Sequence, residues 1–220
     1  IKRLSESEIQ SVIEEKLTYD EYRWQEKQQI VIRDRKRAEG LHKPLYQCLD
    51  CHTQGRMMSK GTILLCEACG RRWKLDEYGH LIDEHVKQIH IPDWYEWERQ
   101  QVIQEMESGD YGLDLRVRVE ALPNEKGFVP LGYGRLTHDT EKYVLSLESV
   151  DKDVELHDRF PLTILNRNLE STQTEYNYRN KGKCIVLSTR DCCYYIYSDD
   201  PKFCVTKLQF AVEYLNEKYN

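Results

Sequence analysis

Two Cys-x-x-Cys pairs, Cys48/Cys51 and Cys66/Cys69, stand 14 residues apart and constrain this chain more than any other feature. Each such turn presents two sulfurs to one ion, and four thiolates close a tetrahedron around a metal with no vacancy for water. The spacing predicts a structural zinc ribbon, with iron or four uncoordinated thiols as the alternatives. The intervening stretch suits a short hairpin. Gly55 and Gly61 are available for its bends, Thr62 to Leu65 lead as a strand into the second pair, and Gly70 gives the second turn room to curl back. Paired spacing also argues against a secreted disulfide scaffold. The remaining cysteines, Cys184, Cys192, Cys193 and Cys204, lie in apolar patterns and read as small buried hydrophobes.

The 220 residues suffice for one large domain or two to three small ones. Net charge is −6, and residues 1–109 carry 17 basic and 20 acidic side chains, so neither half has the footprint of a phosphate-backbone binder. Arg71, Arg72 and Lys74 with Trp73 form the one small basic and aromatic patch. No run of 18 apolar residues occurs, and Ile1-Lys2-Arg3-Leu4-Ser5-Glu6 lacks the apolar stretch of a signal peptide, so a cytoplasmic setting is expected. The start at Ile rather than Met suggests a piece of a longer protein.

Periodicity divides the chain into docking helices and linker (1–44), the ribbon (45–90), a bridging helix (91–109) and a small β-barrel with a C-terminal helix (110–220), an α+β architecture. Ser5 and Glu8 form a capping box with Leu4 and Ile9 as its staple, and Thr18 and Glu21 repeat it with Leu17 and Tyr22. Ile9, Val12, Ile13 and Leu17 give the first helix an apolar face that must dock on something. The second helix is expected to run through Trp24 toward Arg33 to Arg37, stopping at Gly40. Pro92 opens the bridging helix, which ends at Gly109. Its stripe of Tyr95, Val102 and Met106, flanked by Trp94 and Trp97, predicts a join between two bodies, with a membrane-interface role for the tryptophans as the sharper alternative.

Beyond Gly109 the period becomes two. Leu113 to Ala121 alternate with charged residues, and strands follow around Phe128–Leu136, Tyr143–Leu147, Val154–Leu156, Leu162–Leu165, Glu175–Tyr178, Cys184–Ser188 and Cys193–Tyr197. Asp200 and Pro201 signal a last helix with Cys204, Leu208, Ala211, Val212 and Leu215 on its buried face. About seven strands in meander order with one helix resemble a pleckstrin-homology-like barrel, although another small barrel or a sandwich satisfies the same pattern. Gly-Tyr-Gly-Arg at 132–135 reads as a bend or bulge rather than a phosphate loop. His80, His85 and His90 recur every five residues. That step does not converge on one helix face, so they read as ordinary polar histidines.

Several phrases carry a family resemblance: Arg37-Ala38-Glu39-Gly40-Leu41-His42 leading to Leu45-Tyr46-Gln47-Cys48, Ser59-Lys60-Gly61-Thr62, Ile91-Pro92-Asp93-Trp94-Tyr95-Glu96-Trp97-Glu98, and Gly134-Arg135-Leu136-Thr137-His138-Asp139. They resemble the C-terminal extension of long bacterial 1-acylglycerol-3-phosphate acyltransferase-like proteins. The resemblance implies an upstream acyltransferase-like domain as partner and membrane contact only through that parent. That family's catalytic His-x-x-x-x-Asp is absent, since no histidine here has Asp five positions on. Its Cys-Pro-x-Cys knuckle stands here as Cys48-Leu49-Asp50-Cys51. The expectation is therefore a non-catalytic regulatory or scaffolding segment with Zn2+ on Cys48, Cys51, Cys66 and Cys69. A free-standing ribbon module binding protein or nucleic acid is the alternative.

Overall fold

The computed structural model describes residues 4–123, 127–148 and 159–219. Helix α1 (Glu6–Leu17) starts as its capping box requires: the Ser5 backbone N–H donates to Glu8 Oε2 at 2.7 Å, and the Ser5 hydroxyl accepts from the Glu8 N–H. The second box does not form. Thr18 instead ends α1, its hydroxyl donating to the Glu14 carbonyl at 2.7 Å, and Asp20 caps α2 (Glu21–Lys27) by accepting the Arg23 N–H at 3.0 Å. An ionised carboxylate two residues closer to the helix outcompetes the threonine hydroxyl for the same orphan donors. Helix α2 also ends earlier than expected, in a left-handed turn at Gln29, and residues 35–44 form turns that lie on the ribbon. There the Arg37 side chain donates to the Leu75 and Asp76 carbonyls, each at 2.9 Å.

The ribbon is a five-stranded antiparallel sheet in chain order: β1 (Met57–Lys60), β2 (Ile63–Cys66), β3 (Arg72–Leu75), β4 (His80–Ile82) and β5 (Gln88–His90). Its one buried face holds Leu64, Trp73, Leu75 and Leu81 with the metal-side cysteines Cys48 and Cys66. Helix α3 (Ile91–Ser108) follows directly and ends at Gly109, whose φ of +81° is the left-handed cap that glycine adopts without Cβ strain. The helix joins two bodies, as its pattern predicted. Trp94 packs into the ribbon core, edge-on to Trp73 with ring centroids 4.9 Å apart, while Val102 and Met106 pack on Phe210, Ala211 and Leu215. Trp94 is only 1% exposed, which excludes it from a membrane interface.

The C-terminal sheet holds β6 (Leu113–Leu122), β7 (Val129–His138), β8 (Lys142–Leu147), β9 (Leu162–Leu165), β10 (Gln173–Glu175), β11 (Cys184–Ser188) and β12 (Cys193–Tyr197). The order is β10-β11-β12-β6-β7-β8-β9, all antiparallel. The meander therefore curls until β12 pairs β6, leaving β9 and β10 as the two edges of a partial barrel. Helix α4 (Val205–Tyr219) buries Leu208, Ala211, Val212 and Leu215. It begins four residues beyond Pro201, because Asp200 caps a separate turn by accepting the Lys202 N–H. The register shifts opposite Val119/Glu120, where Gly132 has φ +87°, so the predicted bulge is present. Two residues on, a Cβ at Gly134 would stand 2.1 Å from the Ser146 carbonyl oxygen, so only glycine lets β8 close on β7. The strand expected at Val154–Leu156 lies outside the described residues.

Cys184 and Cys192 are buried as expected of small hydrophobes, and Cys193 turns toward the Ser188 hydroxyl. The expectation that α1 docks is not met within the described residues. Ile9, Val12, Ile13 and Leu17 are 44–77% exposed, and no residue of α1 is buried.

Candidate metal centre

The two cysteine turns are built alike. Cys48 N–H donates to the Thr53 carbonyl and His52 N–H to the Cys48 carbonyl. Eighteen positions later, Cys66 N–H donates to Arg71 and Gly70 N–H to Cys66, all at 2.9–3.1 Å. In each turn the residue after the second cysteine is left-handed, His52 at φ +56° and Gly70 at φ +79°. Glycine adopts this freely, and histidine does so at some cost. The His52 ring meets Trp97 edge-on at 5.3 Å, a contact glycine would forfeit.

These turns bring together the four predicted ligands. The Sγ atoms of Cys48, Cys51, Cys66 and Cys69 all lie within 4.8 Å of one another, the only such group of three or more metal-ligating side chains among the described residues. The Cys48–Cys69 and Cys51–Cys66 sulfur separations are both 3.7 Å, far beyond the ~2.05 Å of a disulfide. Cys48 and Cys66 are fully buried, while Cys51 and Cys69 face outward. Burial pushes the Cys48 thiol well up, whereas the Thr53 hydroxyl and N–H pull Cys51 down to about 6. A buried thiolate needs a cation beside it, and a metal ion held by all four sulfurs supplies one.

A clamp from α3 fixes the approach to the first turn. Trp94 Nε1–H donates to the Gln47 carbonyl at 3.0 Å, and Glu98, with no exposed surface, accepts the Gln47 N–H on Oε1 at 2.7 Å. Both backbone groups of the residue before Cys48 are thus held by side chains one helical turn apart. Desolvation raises Glu98 to about 9, so it is neutral at physiological pH. Its Oε2 and the Gln47 Oε1 are both buried without a partner. Sequence reasoning missed Glu98 in this role; the available signal was its i+4 spacing from Trp94 on the same helix face. The loop after the turn is pinned as well. Gln54 donates to Glu105 at 2.7 Å and accepts from Lys207 at 3.0 Å, and Lys207 pairs with Glu105.

The three spaced histidines lie on a hairpin rather than a helix. His80 and His90 face each other across β4 and β5, and His85 is exposed in the turn between them. Each of the pair is flanked by carboxylates, His80 by Asp76 and Glu26 and His90 by Asp20 and Asp93. The basic and aromatic patch dissolves in three dimensions. Arg71 is paired with both Asp50 and Glu84, and Trp73 is 2% exposed, which removes it as a stacking platform. No helix is long and apolar enough to cross a membrane among the described residues. No protein-family model matches the chain, and comparison with curated proteins finds no significant relative.

Proposed function

We propose that this chain is a non-catalytic scaffolding segment, built around a structural zinc site, that positions a phospholipid-type acyltransferase domain. The observation that carries the scaffolding role is the bare apolar stripe of α1. Ile9, Val12, Ile13 and Leu17 share one face at helical spacing, and a 12-residue helix of this kind is marginal in water without a partner surface. A tetrahedral metal ion is favoured by the sulfur geometry, and zinc by the closed four-thiolate set of a short ribbon. A tetrahedral ion with metal–sulfur bonds of ~2.3 Å separates its sulfurs by about 3.8 Å, close to the two 3.7 Å distances. Four protein ligands leave no position for a reacting water, and His138, the buried histidine of the barrel, is consumed by internal hydrogen bonds to Tyr111 and Asn166. The acyltransferase partner rests on the sequence resemblance. The meander closed by a C-terminal helix supports the pleckstrin-like reading of the barrel.

The competing reading, a free-standing interaction module, is weakened for nucleic acid by the pairing of Arg71 and the burial of Trp73. A thioester-release assay with acyl-coenzyme A or acyl-carrier-protein donors and lysophosphatidate or glycerol phosphate acceptors should show no turnover by this chain alone. Mixed in trans, an acyltransferase-like domain should bind the chain, and Ile9→Glu with Ile13→Glu should abolish binding without loss of metal. Turnover that disappears on mutating this chain sinks the non-catalytic claim; failure of every such domain to bind sinks the acyltransferase partner.

A further inference from the structure

A cavity of about 250 Å³ opens where the ribbon meets the barrel, lined by His42, Lys43, Tyr46, Lys183, Cys204 and Val205 among others. The chain as a whole is acidic, at net charge −6, yet no carboxylate lines this wall. Its polar side chains are nearly all donors. Ser59 Oγ accepts the Gly40 N–H at 2.9 Å and is hydrogen-bonded to His42 Nδ1 at 2.7 Å, which ties the imidazole to the ribbon. Among the described residues Lys183 Nζ donates to the Asp200 carbonyl at 3.4 Å and to no side chain, and burial lowers its pKa against the opposing pull of the nearby Asp199 and Asp200. Tyr46 is 4% exposed and its buried hydroxyl has no partner. An orphaned buried hydroxyl calls for an explanation, and a ligand acceptor supplies one.

The fourth contribution is backbone. Cys204 and Val205 begin α4, a 15-residue helix whose N-terminal end carries positive potential. Acidic groups stand behind this wall rather than on it: Glu98 and Glu105 lie near Tyr46, and Asp199 and Asp200 near Lys183. Glu98 is neutral at physiological pH, and Glu105 is taken up by Lys207. Two lysines, a tyrosine hydroxyl and a helix start, with no carboxylate on the wall, form the donor set that an anion with several acceptor oxygens requires. The volume is that of about eight waters, room for a phosphate and a short carbon stem.

We propose that this cavity binds the phosphate group of a small phosphomonoester, with Lys183 and the Tyr46 hydroxyl as its principal ligands. The site rests on the cleft alone and is independent of the acyltransferase reading. Calorimetric titration of the metal-loaded chain with inorganic phosphate should give saturable binding, and Lys183→Met and Tyr46→Phe should each weaken it about tenfold or more. Without phosphate, Tyr46→Phe should melt no lower than the parent, since it removes only an unpaired hydroxyl; this separates ligand loss from misfolding. A second arm uses vesicles of phosphatidylcholine with and without phosphatidic acid. Lys183-dependent co-sedimentation with the acid-containing vesicles assigns the phosphate to a lipid headgroup, and binding of free phosphate alone assigns it to a soluble ligand. Absence of saturable binding in both arms, or equal affinity in the parent and both variants, overturns the proposal.

Discussion

The ribbon and the barrel solve the same problem with different means. The barrel closes seven strands and α4 over one large apolar cluster that includes Val117, Val119, Leu136, Tyr143, Ile196 and Leu208. The ribbon has five strands of three or four residues, and its cluster includes the metal-site cysteines Cys48 and Cys66 and is completed by Ile91 and Trp94 of α3. A sheet this short cannot bury enough apolar surface to offset its chain entropy, so it leans on a neighbouring helix and on the ion that its four-cysteine cluster could hold. The barrel's core owes nothing to the ribbon's thiolates. Two modules share one chain and meet where Tyr46, Val102 and Met106 pack on Phe210, Ala211 and Leu215 of α4, and the ribbon is expected to depend on its surroundings more than the barrel does.

Removing a ligand should expose that asymmetry most strongly. Cys66→Ser is expected to abolish metal binding and unfold the ribbon, seen as loss of the near-ultraviolet circular dichroism of the Trp73–Trp94 pair, while most of the barrel's far-ultraviolet signal remains. Purified chain without metal, or a barrel that melts together with the ribbon, would contradict it. The converse experiment is Gly134→Ala. Its new methyl meets the Ser146 carbonyl at 2.1 Å, so β7 and β8 must separate, at a cost of about 3 kcal/mol or more by urea denaturation, with metal content unchanged. A neutral outcome would mean that this strand pair is not closed as described.

The two modules should also respond to pH with opposite sign. At the ribbon seam, burial holds Glu98 at about 9, above its ordinary value of 4.5, so folding takes up a proton between those limits. That contribution is present below pH 4.5 and is lost as pH rises toward 9, at no more than about 1.4 kcal/mol per pH unit. Glu98→Gln keeps the acceptor for Gln47 N–H and should flatten the fall. In the barrel, desolvation depresses His138 to about 4. Asn166 donates to the Asp139 carbonyl through Nδ2, so its Oδ1 accepts from His138 Nε2–H, and His138 Nδ1 accepts from Tyr111. Stability from the neutral ring is present above its ordinary pKa of 6.5 and lost as pH falls toward 4. His138→Gln should lower the whole curve yet remove about one proton from that acid slope. Equal slopes in parent and variant would refute either assignment.

The smallest effect concerns the two turns of the metal site. His52→Gly gives the first turn the residue that the second already has, relieving a left-handed backbone while losing the ring contact with Trp97. The two terms are each on the order of 1 kcal/mol, so the net change in chelator resistance should be within about that amount. A large loss would show that the His52–Trp97 contact, rather than backbone strain, governs the first turn.

The four-cysteine cluster was legible because its spacing is itself the chemistry: four cysteines in two turns have few uses in a short sheet other than a metal site. The strand from Leu113 was legible because a half-buried antiparallel strand alternates, whereas Cys184–Ser188 and Cys193–Tyr197 were legible as short apolar runs, buried on both faces and bounded by turn residues. The second helix was legible but its cap was not, because Thr18 and Asp20 compete for one capping role and local pattern does not say which acceptor is nearer. The surroundings of the spaced histidines and of Arg71 were not legible, for a shared reason. A hairpin turned His80 toward His90, and folding brought Asp50 and Glu84 onto Arg71, contacts between residues that no periodic rule connects.

Local covalent geometry and side-chain period thus determined the element types, the four thiolates and the bridging helix, since these depend on residues within a few positions of one another. Tertiary structure alone decided that Glu98 is buried and neutral against Gln47, that α1 keeps its apolar face bare, and that Tyr46, His42 and Lys183 meet across a cavity without a carboxylate on its wall. Those outcomes depend on which distant surfaces exclude water from a given group. Desolvation is a property of the assembled fold, and no short window of residues encodes it.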